Sequence, residues 1–118
     1  MNGKTGWARV ACAFRCSLQG FRRCFKTEEA FRQEAALCAV LVPASFFIAG
    51  NVVEWLVLNG SLAMVLVVEL LNTAVERTVD RISCERHELS RDAKDMGSAA
   101  VMLSLIAFCV CWGAILLF

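Results

Sequence analysis

Two long stretches of the chain contain no charged residue. The nineteen residues from Ala35 to Val53 and the twenty-three from Met96 to Phe118 lack Asp, Glu, Lys and Arg. A helix needs about 20 apolar residues to cross a hydrocarbon core of about 30 Å. The pattern therefore predicts two membrane-spanning helices.

A third apolar stretch lies between these two and has an acidic residue inside it. The segment from Trp55 to Val68 is uncharged, and the apolar pattern resumes after Glu69. An ionisable residue within a span is costly, so it is a functional-site hypothesis by default. We predict three spans, the second extending into the cytoplasm, at residues 30–50, 53–80 and 91–118.

The first 26 residues have the period of an amphipathic helix. Apolar side chains recur every three or four positions, which places them on one face at 100° per residue. We call this face the aromatic stripe; its members are Trp7, Val10, Phe14, Leu18, Phe21 and Phe25. Basic side chains lie on its flank or opposite it, a pattern typical of a helix in the headgroup plane of a membrane. A stripe packed against the bundle is an equally good interpretation.

Composition supports a single-domain, all-α membrane protein over residues 1–118. Hydrophobic residues make up 58% of the 118 positions, which is too many for a soluble domain of this length. The formal net charge is only +1, which argues against a nucleic-acid binder that works by bulk charge.

The distribution of Lys and Arg predicts the orientation of the chain. Seven basic residues lie within positions 1–34 and five within 76–95, whereas the turn around Gly50 has none. Because basic residues are retained in the cytoplasm, the amino terminus and the second connection are expected inside. The first turn and the carboxyl terminus are then expected outside.

Polar side chains form an acidic face along the second span. Glu69, Asn72, Glu76 and Asp80 are spaced so that all four fall within an arc of about 80° on a helix. If Trp55 marks the outer interface, Glu69 is about 21 Å deeper and Glu76 about 10 Å further along. The acidic face therefore runs from lipid depth to the cytoplasmic boundary.

This arrangement suits a reaction between a buried lipid hydroxyl and a charged reagent from water. Magnesium usually takes one or two carboxylates and completes its shell with water and phosphates. Further groups at the cytoplasmic level could join Glu76, namely Glu28, Glu29, Glu34, Lys94 and Asp95. Carboxylates, a metal ion and a lysine are the groups that phosphoryl transfer uses.

The same carboxylates also fit ordinary ion pairs on solvated helix ends. Glu76 could pair with Arg77 or Arg81, and Glu28 could pair with Arg32. That interpretation does not suit Glu69, because no basic residue of the chain matches its depth.

Small residues open the third span, from Gly97 to Ala100, and permit close helix approach. We expect that three helices alone cannot shield Glu69 on every side. This expectation implies a homo-oligomer with the site between subunits.

Two functions of other classes remain open at this point. A small proton-coupled exporter could use Glu69 as its carrier acid, although it would have no use for the shallow carboxylates. A structural protein that binds lipid through its basic helix would leave the acidic face unexplained. A need for both ATP and a lipid alcohol separates a kinase from these two.

Three segments resemble a known family. They are ELLNTAVERTVD at residues 69–80, EEAFRQE at 28–34 and AKDMGSAAV at 93–101. They resemble the prokaryotic diacylglycerol kinase family, and its Gram-negative branch most closely. The resemblance implies a homotrimer of the bacterial inner membrane with composite sites that phosphorylates diacylglycerol to phosphatidic acid with Mg-ATP. Undecaprenol, the lipid of Gram-positive relatives, is the alternative substrate.

The resemblance also implies roles for individual residues. Glu69 would be the general base for the lipid hydroxyl, with Asn72 supporting it, while Glu28 and Glu76 would hold magnesium. The ATP site would comprise Arg9, Cys16, Glu28, Glu76, Glu85, Arg86, His87, Lys94 and Asp95. The lipid would contact Arg9, Ala30, Phe31, Arg32, Gln33, Glu34, Trp55, Glu69 and Ser98. Cys16, Leu18 and Arg86 stand where relatives carry aromatic residues.

Overall fold

A computed structural model describes residues 6–82 and 87–118, and within them all regular structure is helical. The four helices are α1 (Gly6–Thr27), α2 (Glu29–Ile48), α3 (Val52–Ile82) and α4 (Glu88–Leu117). Helices α2, α3 and α4 are each long and apolar enough to cross a membrane. The all-helical fold with three candidate spans is thus confirmed.

The junction between α1 and α2 is a single extended residue. Glu28 has φ −112° and ψ 113°, and its N–H still donates to the carbonyl of Cys24 at 2.8 Å. The Arg32 guanidinium donates to the carbonyls of Phe25 and Lys26 at 2.8 and 2.9 Å. These hydrogen bonds satisfy carbonyls that the last turn of α1 leaves without a helical partner. The alternative in which Glu28 pairs with Arg32 does not describe this junction, because Arg32 donates to these carbonyls and Glu28 lies beside Arg77.

The turn between α2 and α3 is closed by reciprocal hydrogen bonds. The Asn51 side chain accepts from the N–H of Glu54 at 2.9 Å, and the Glu54 carboxylate accepts from the N–H of Gly50 at 2.9 Å. Such exchanges satisfy donors that the first turn of a helix leaves free. They define a short reversal, so α2 and α3 lie side by side.

Helix α3 is central, since it contacts each of the other three helices. Its packing against α4 is anchored by Leu58, Leu62 and Trp112, which form a small buried cluster. The Trp112 indole N–H donates to the carbonyl of Leu58 at 3.1 Å. A polar contact joins α3 to α2, where the Asn59 amide donates to the fully buried Ser45 hydroxyl at 3.0 Å.

Most large apolar side chains are exposed on the surface of the helical bundle. Phe47 on α2 is 91% exposed and Leu117 on α4 is 79% exposed, which fits surfaces covered by lipid. The aromatic stripe of α1 is also exposed, from 86% at Trp7 to 47% at Phe21, whose ring approaches Phe31. The amino-terminal part of the stripe is thus free of its own chain, whereas the part nearest α2 is about half covered.

Candidate active site

Glu69 is buried inside its own chain, with only 6% of the residue exposed. One turn further along α3, the Thr73 hydroxyl donates back to the carbonyl of Glu69 at 2.9 Å. Helix α1 covers this turn, because the Cys24 thiol donates to the Thr73 hydroxyl at 3.9 Å. The chain thus buries Glu69 with α1 packed beside this part of α3, in addition to the three predicted spans, and the homo-oligomer stays a prediction.

Cys24 forms the contact between α1 and the acidic face, and it is 3% exposed. Burial raises the pKa of the Cys24 thiol, so the thiol stays protonated and remains a donor to Thr73. A buried thiol of this kind serves as a small apolar residue with one weak donor. We therefore assign Cys24 a packing role.

Three more carboxylates lie close enough to Glu69 for their charges to interact, those of Glu28, Glu34 and Glu76. Glu34 comes from α2, and its Oε2 is buried without a hydrogen-bond partner among the described residues. The structure thus gathers carboxylates from the α1–α2 junction, α2 and α3. It places the predicted base and both predicted magnesium ligands in one cluster.

Asn72 links the deep and shallow parts of the acidic face. Its Nδ2 donates to Oε1 of Glu76 at 3.1 Å, while its Oδ1 is buried and has no partner in the part of the chain described. A Cβ at Gly97 would collide with Oδ1. Gly97 was not among the predicted site residues, although its stretch of small side chains was noted as a point of close approach.

Arg77 is a second residue that the sequence did not place in the site. Its guanidinium lies 4.0 Å from the Glu28 carboxylate and also donates to the Thr27 hydroxyl. Within the described residues, Glu76 forms no ion pair with Arg77 or Arg81. Arg77 instead ties α3 to the junction of α1 and α2.

Lys94 lies beside Asp80, the last residue of the acidic face along α3. Its Nζ is 2.5 Å from Oδ1 of Asp80, and both side chains are substantially exposed. Its charge also interacts with that of Glu76. The exposed pair leaves Lys94 free to exchange Asp80 for another anion, because such pairs contribute about 0–1 kcal/mol.

The oxygen atoms of this cluster fit a magnesium ion that is shared with phosphates. Among residues 6–82 and 87–118, no three His, Cys, Asp or Glu side chains form a group that would enclose a metal. Magnesium needs no such cage, because one or two carboxylates with waters and phosphates are sufficient. Glu28 and Glu76 would supply such carboxylates, and the charges of both interact with that of Glu69.

Other predicted nucleotide ligands are spread more widely. Arg9 and Cys16 are exposed on α1, and Asp95 is exposed on α4. The His87 ring caps α4, its Nδ1 accepting from the N–H of Leu89 at 3.1 Å. Glu85 and Arg86 lie outside the described residues.

The predicted lipid contacts also have different surroundings. Phe31 is buried, whereas Ala30, Gln33 and Ser98 are exposed. Trp55 packs against Phe46, and its buried indole N–H has no partner among residues 6–82 and 87–118. It lies about 21 Å from Glu69 along α3.

Similarity to known proteins extends over nearly the whole chain. The family model described as prokaryotic diacylglycerol kinase matches residues 15–116. Proteins named diacylglycerol kinase from Haemophilus influenzae and Pseudomonas aeruginosa are 45% and 46% identical to it, over 97% and 98% of this chain and 97% and 94% of theirs. The Escherichia coli K12 protein of that name is 40% identical over 94% of this chain and 91% of its own. The chain therefore belongs to the prokaryotic diacylglycerol kinase family.

Proposed function

We propose that this protein transfers the γ-phosphoryl group of ATP to the hydroxyl of diacylglycerol and so forms phosphatidic acid. The observation that carries the proposal is the burial of Glu69 within a helix able to span a membrane, in line with Asn72 and Glu76. The names of its relatives supply the lipid and the reaction class. The predicted function is retained on both grounds.

The reaction takes place at the cytoplasmic face of the bacterial inner membrane in this proposal. The excess of Lys and Arg before α2 and around the α3–α4 connection supports a cytoplasmic amino terminus and a periplasmic carboxyl terminus. The exposed aromatic stripe supports a position for α1 in the cytoplasmic headgroup layer. ATP and the lipid headgroup then meet at the same level.

Proton transfer at Glu69 is the first part of the chemistry. The Glu69 carboxylate accepts the proton of the lipid hydroxyl as the hydroxyl oxygen forms its bond to the γ-phosphorus. The bond between that phosphorus and the bridging oxygen breaks, and ADP leaves with the electron pair. Since such transition states are loose, positioning by Asn72 and charge neutralisation contribute more than the proton transfer.

Charge neutralisation comes from the cytoplasmic end of the acidic face. Glu28 and Glu76 would hold magnesium, which when bound neutralises the charge of the phosphate oxygens. Lys94 exchanges its ion pair with Asp80 for one with the phosphates. Both side chains of the pair are exposed, so breaking it costs little. Arg77 lies beside the Glu28 carboxylate and competes with a cation for it.

A homotrimer with composite sites is part of the proposal. Arg9 lies 15 residues before Cys24 on α1, about 22 Å from the acidic cluster by helix rise. A neighbouring subunit could bring its own Arg9 to that cluster. The exposed apolar surfaces of α2 and α4 offer room for such neighbours.

Assaying the purified protein in detergent with radiolabelled ATP tests the proposal. We expect label in lipid only when magnesium and a lipid alcohol are both present, with faster labelling of diacylglycerol than of undecaprenol. A preference for undecaprenol would change the substrate but keep the reaction. Absence of label from both alcohols would refute the kinase assignment.

A further inference from the structure

Gly97 of α4 lies directly against the Asn72 side chain of α3. All three of the nearest atoms that a Cβ at Gly97 would meet belong to Asn72, and it would collide with Oδ1. The contact is local, because a Cβ at Gly60 or Gly113 would meet nothing within 4 Å. Only at this glycine of α3 and α4 does the missing side chain make room for a site residue.

The contact fixes the direction of a planar amide. With Oδ1 directed at Gly97, the amide nitrogen points along α3 and donates to Glu76 at 3.1 Å. Oδ1 is buried without a hydrogen-bond partner among the described residues, so the bond to Glu76 holds only the nitrogen side of the amide. The backbone of α4 is the surface against which the amide rests.

We propose that Gly97 is a positioning residue of the reaction: its lack of a side chain sets the Asn72 amide so that it orients the Glu76 carboxylate. The inference rests on the proposed function, because it assigns Gly97 an effect on Mg-ATP use through Asn72 and Glu76. Gly97 itself need not touch a substrate.

A methyl group at Gly97 must displace the amide. In Gly97→Ala the Asn72 side chain has to rotate away from α4, and Glu76 loses its donor. A hydrogen bond to a charged group has a free energy that corresponds to about a ten- to hundredfold change in an equilibrium constant. We expect KM for Mg-ATP to rise by about that factor, with KM for diacylglycerol nearly unchanged.

Gly60→Ala and Gly113→Ala are the matched controls. Both make the same chemical change inside α3 and α4, at positions where the added methyl group has open space. We expect both to keep wild-type kinetic constants. An unchanged KM for Mg-ATP in Gly97→Ala would overturn the inference.

A double-mutant cycle separates positioning from general helix packing. If Gly97 acts through Asn72, then Gly97→Ala causes no further loss once Asn72→Ala has removed the amide. If the methyl group harms the enzyme by separating the helices, the losses of Gly97→Ala and Asn72→Ala multiply. Multiplicative losses would contradict the proposal.

Thermal unfolding of the wild type, the two single variants and the double variant provides a readout that needs no activity. In thermal unfolding in detergent, we expect Gly97→Ala to lower Tm when Asn72 is present. With Asn72→Ala it should not do so, because alanine has the higher helix propensity. An inactive wild-type protein would refute the proposed function, yet this stability cycle would still test the contact between Gly97 and Asn72.

Discussion

The Arg77 guanidinium lies 4.0 Å from the Glu28 carboxylate and joins the central helix, α3, to the junction between α1 and α2. The pair places a positive charge beside one of the two proposed magnesium ligands. The side chains of Arg77 and Glu28 are 49% and 30% exposed, so the pair contributes little to folding stability. Its main effect should be on the affinity of the site for a cation.

The first prediction therefore concerns Arg77→Gln. Removing a positive charge near a divalent cation should lower the half-saturating magnesium concentration, by about two- to tenfold after screening. Arg81→Gln, one turn further along α3, is the control and should change the magnesium requirement less. Magnesium titrations of activity at fixed ATP measure this. An unchanged or increased requirement in Arg77→Gln would contradict a magnesium site at Glu28.

The second prediction concerns the ion pair between Lys94 and Asp80. Because Asp80 competes with phosphate for Lys94, Asp80→Asn should lower KM for ATP, by at most about fivefold since exposed pairs are weak. Lys94→Leu should raise the same KM. Steady-state kinetics at saturating lipid distinguish the two variants. If Asp80→Asn raised KM as Lys94→Leu does, the pair itself rather than the free lysine would be required.

The third prediction tests the covering of the acidic face by α1. Cys24 is buried against Thr73 and Cys16 is exposed on the same helix. N-ethylmaleimide reacts with the thiolate, and burial raises the pKa of Cys24. Labelling of Cys24 should therefore be slow at neutral pH. It should accelerate only when the pH exceeds the pKa of an ordinary thiol.

Two variants that each retain only one of these cysteines allow the rates to be compared by mass spectrometry. Thr73→Ala should speed the labelling of Cys24 and leave that of Cys16 unchanged. Equal rates at Cys16 and Cys24 in the folded protein would show that α1 does not close over α3.

Features that depend on one helix alone were predictable from the sequence. Gaps between charged residues indicated the three spans, and the spacing of Asn72 and Glu76 placed them on one face, where they share a hydrogen bond. Helical periodicity is a property of a single segment, so it can be read without knowing what packs against it.

Contacts between helices were not predictable in the same way. The spans are apolar on nearly every side, so their sequences do not show how each helix is rotated against its neighbours. The contact of Gly97 with Asn72 and the pairing of Arg77 with Glu28 depend on that rotation. For the same reason, the sequence did not indicate that Cys24 would contact Thr73, one turn from Glu69.

The central claim is that Glu69 accepts the proton of a lipid hydroxyl, and the turnover of Glu69→Gln tests it most directly. The glutamine keeps the shape of the side chain but cannot serve as the base, so kcat with diacylglycerol should fall by about a hundredfold or more. KM for Mg-ATP should remain near that of the wild type. Glu54→Gln, at the other end of α3, is the control and should retain its activity. Near wild-type turnover in Glu69→Gln would contradict the account.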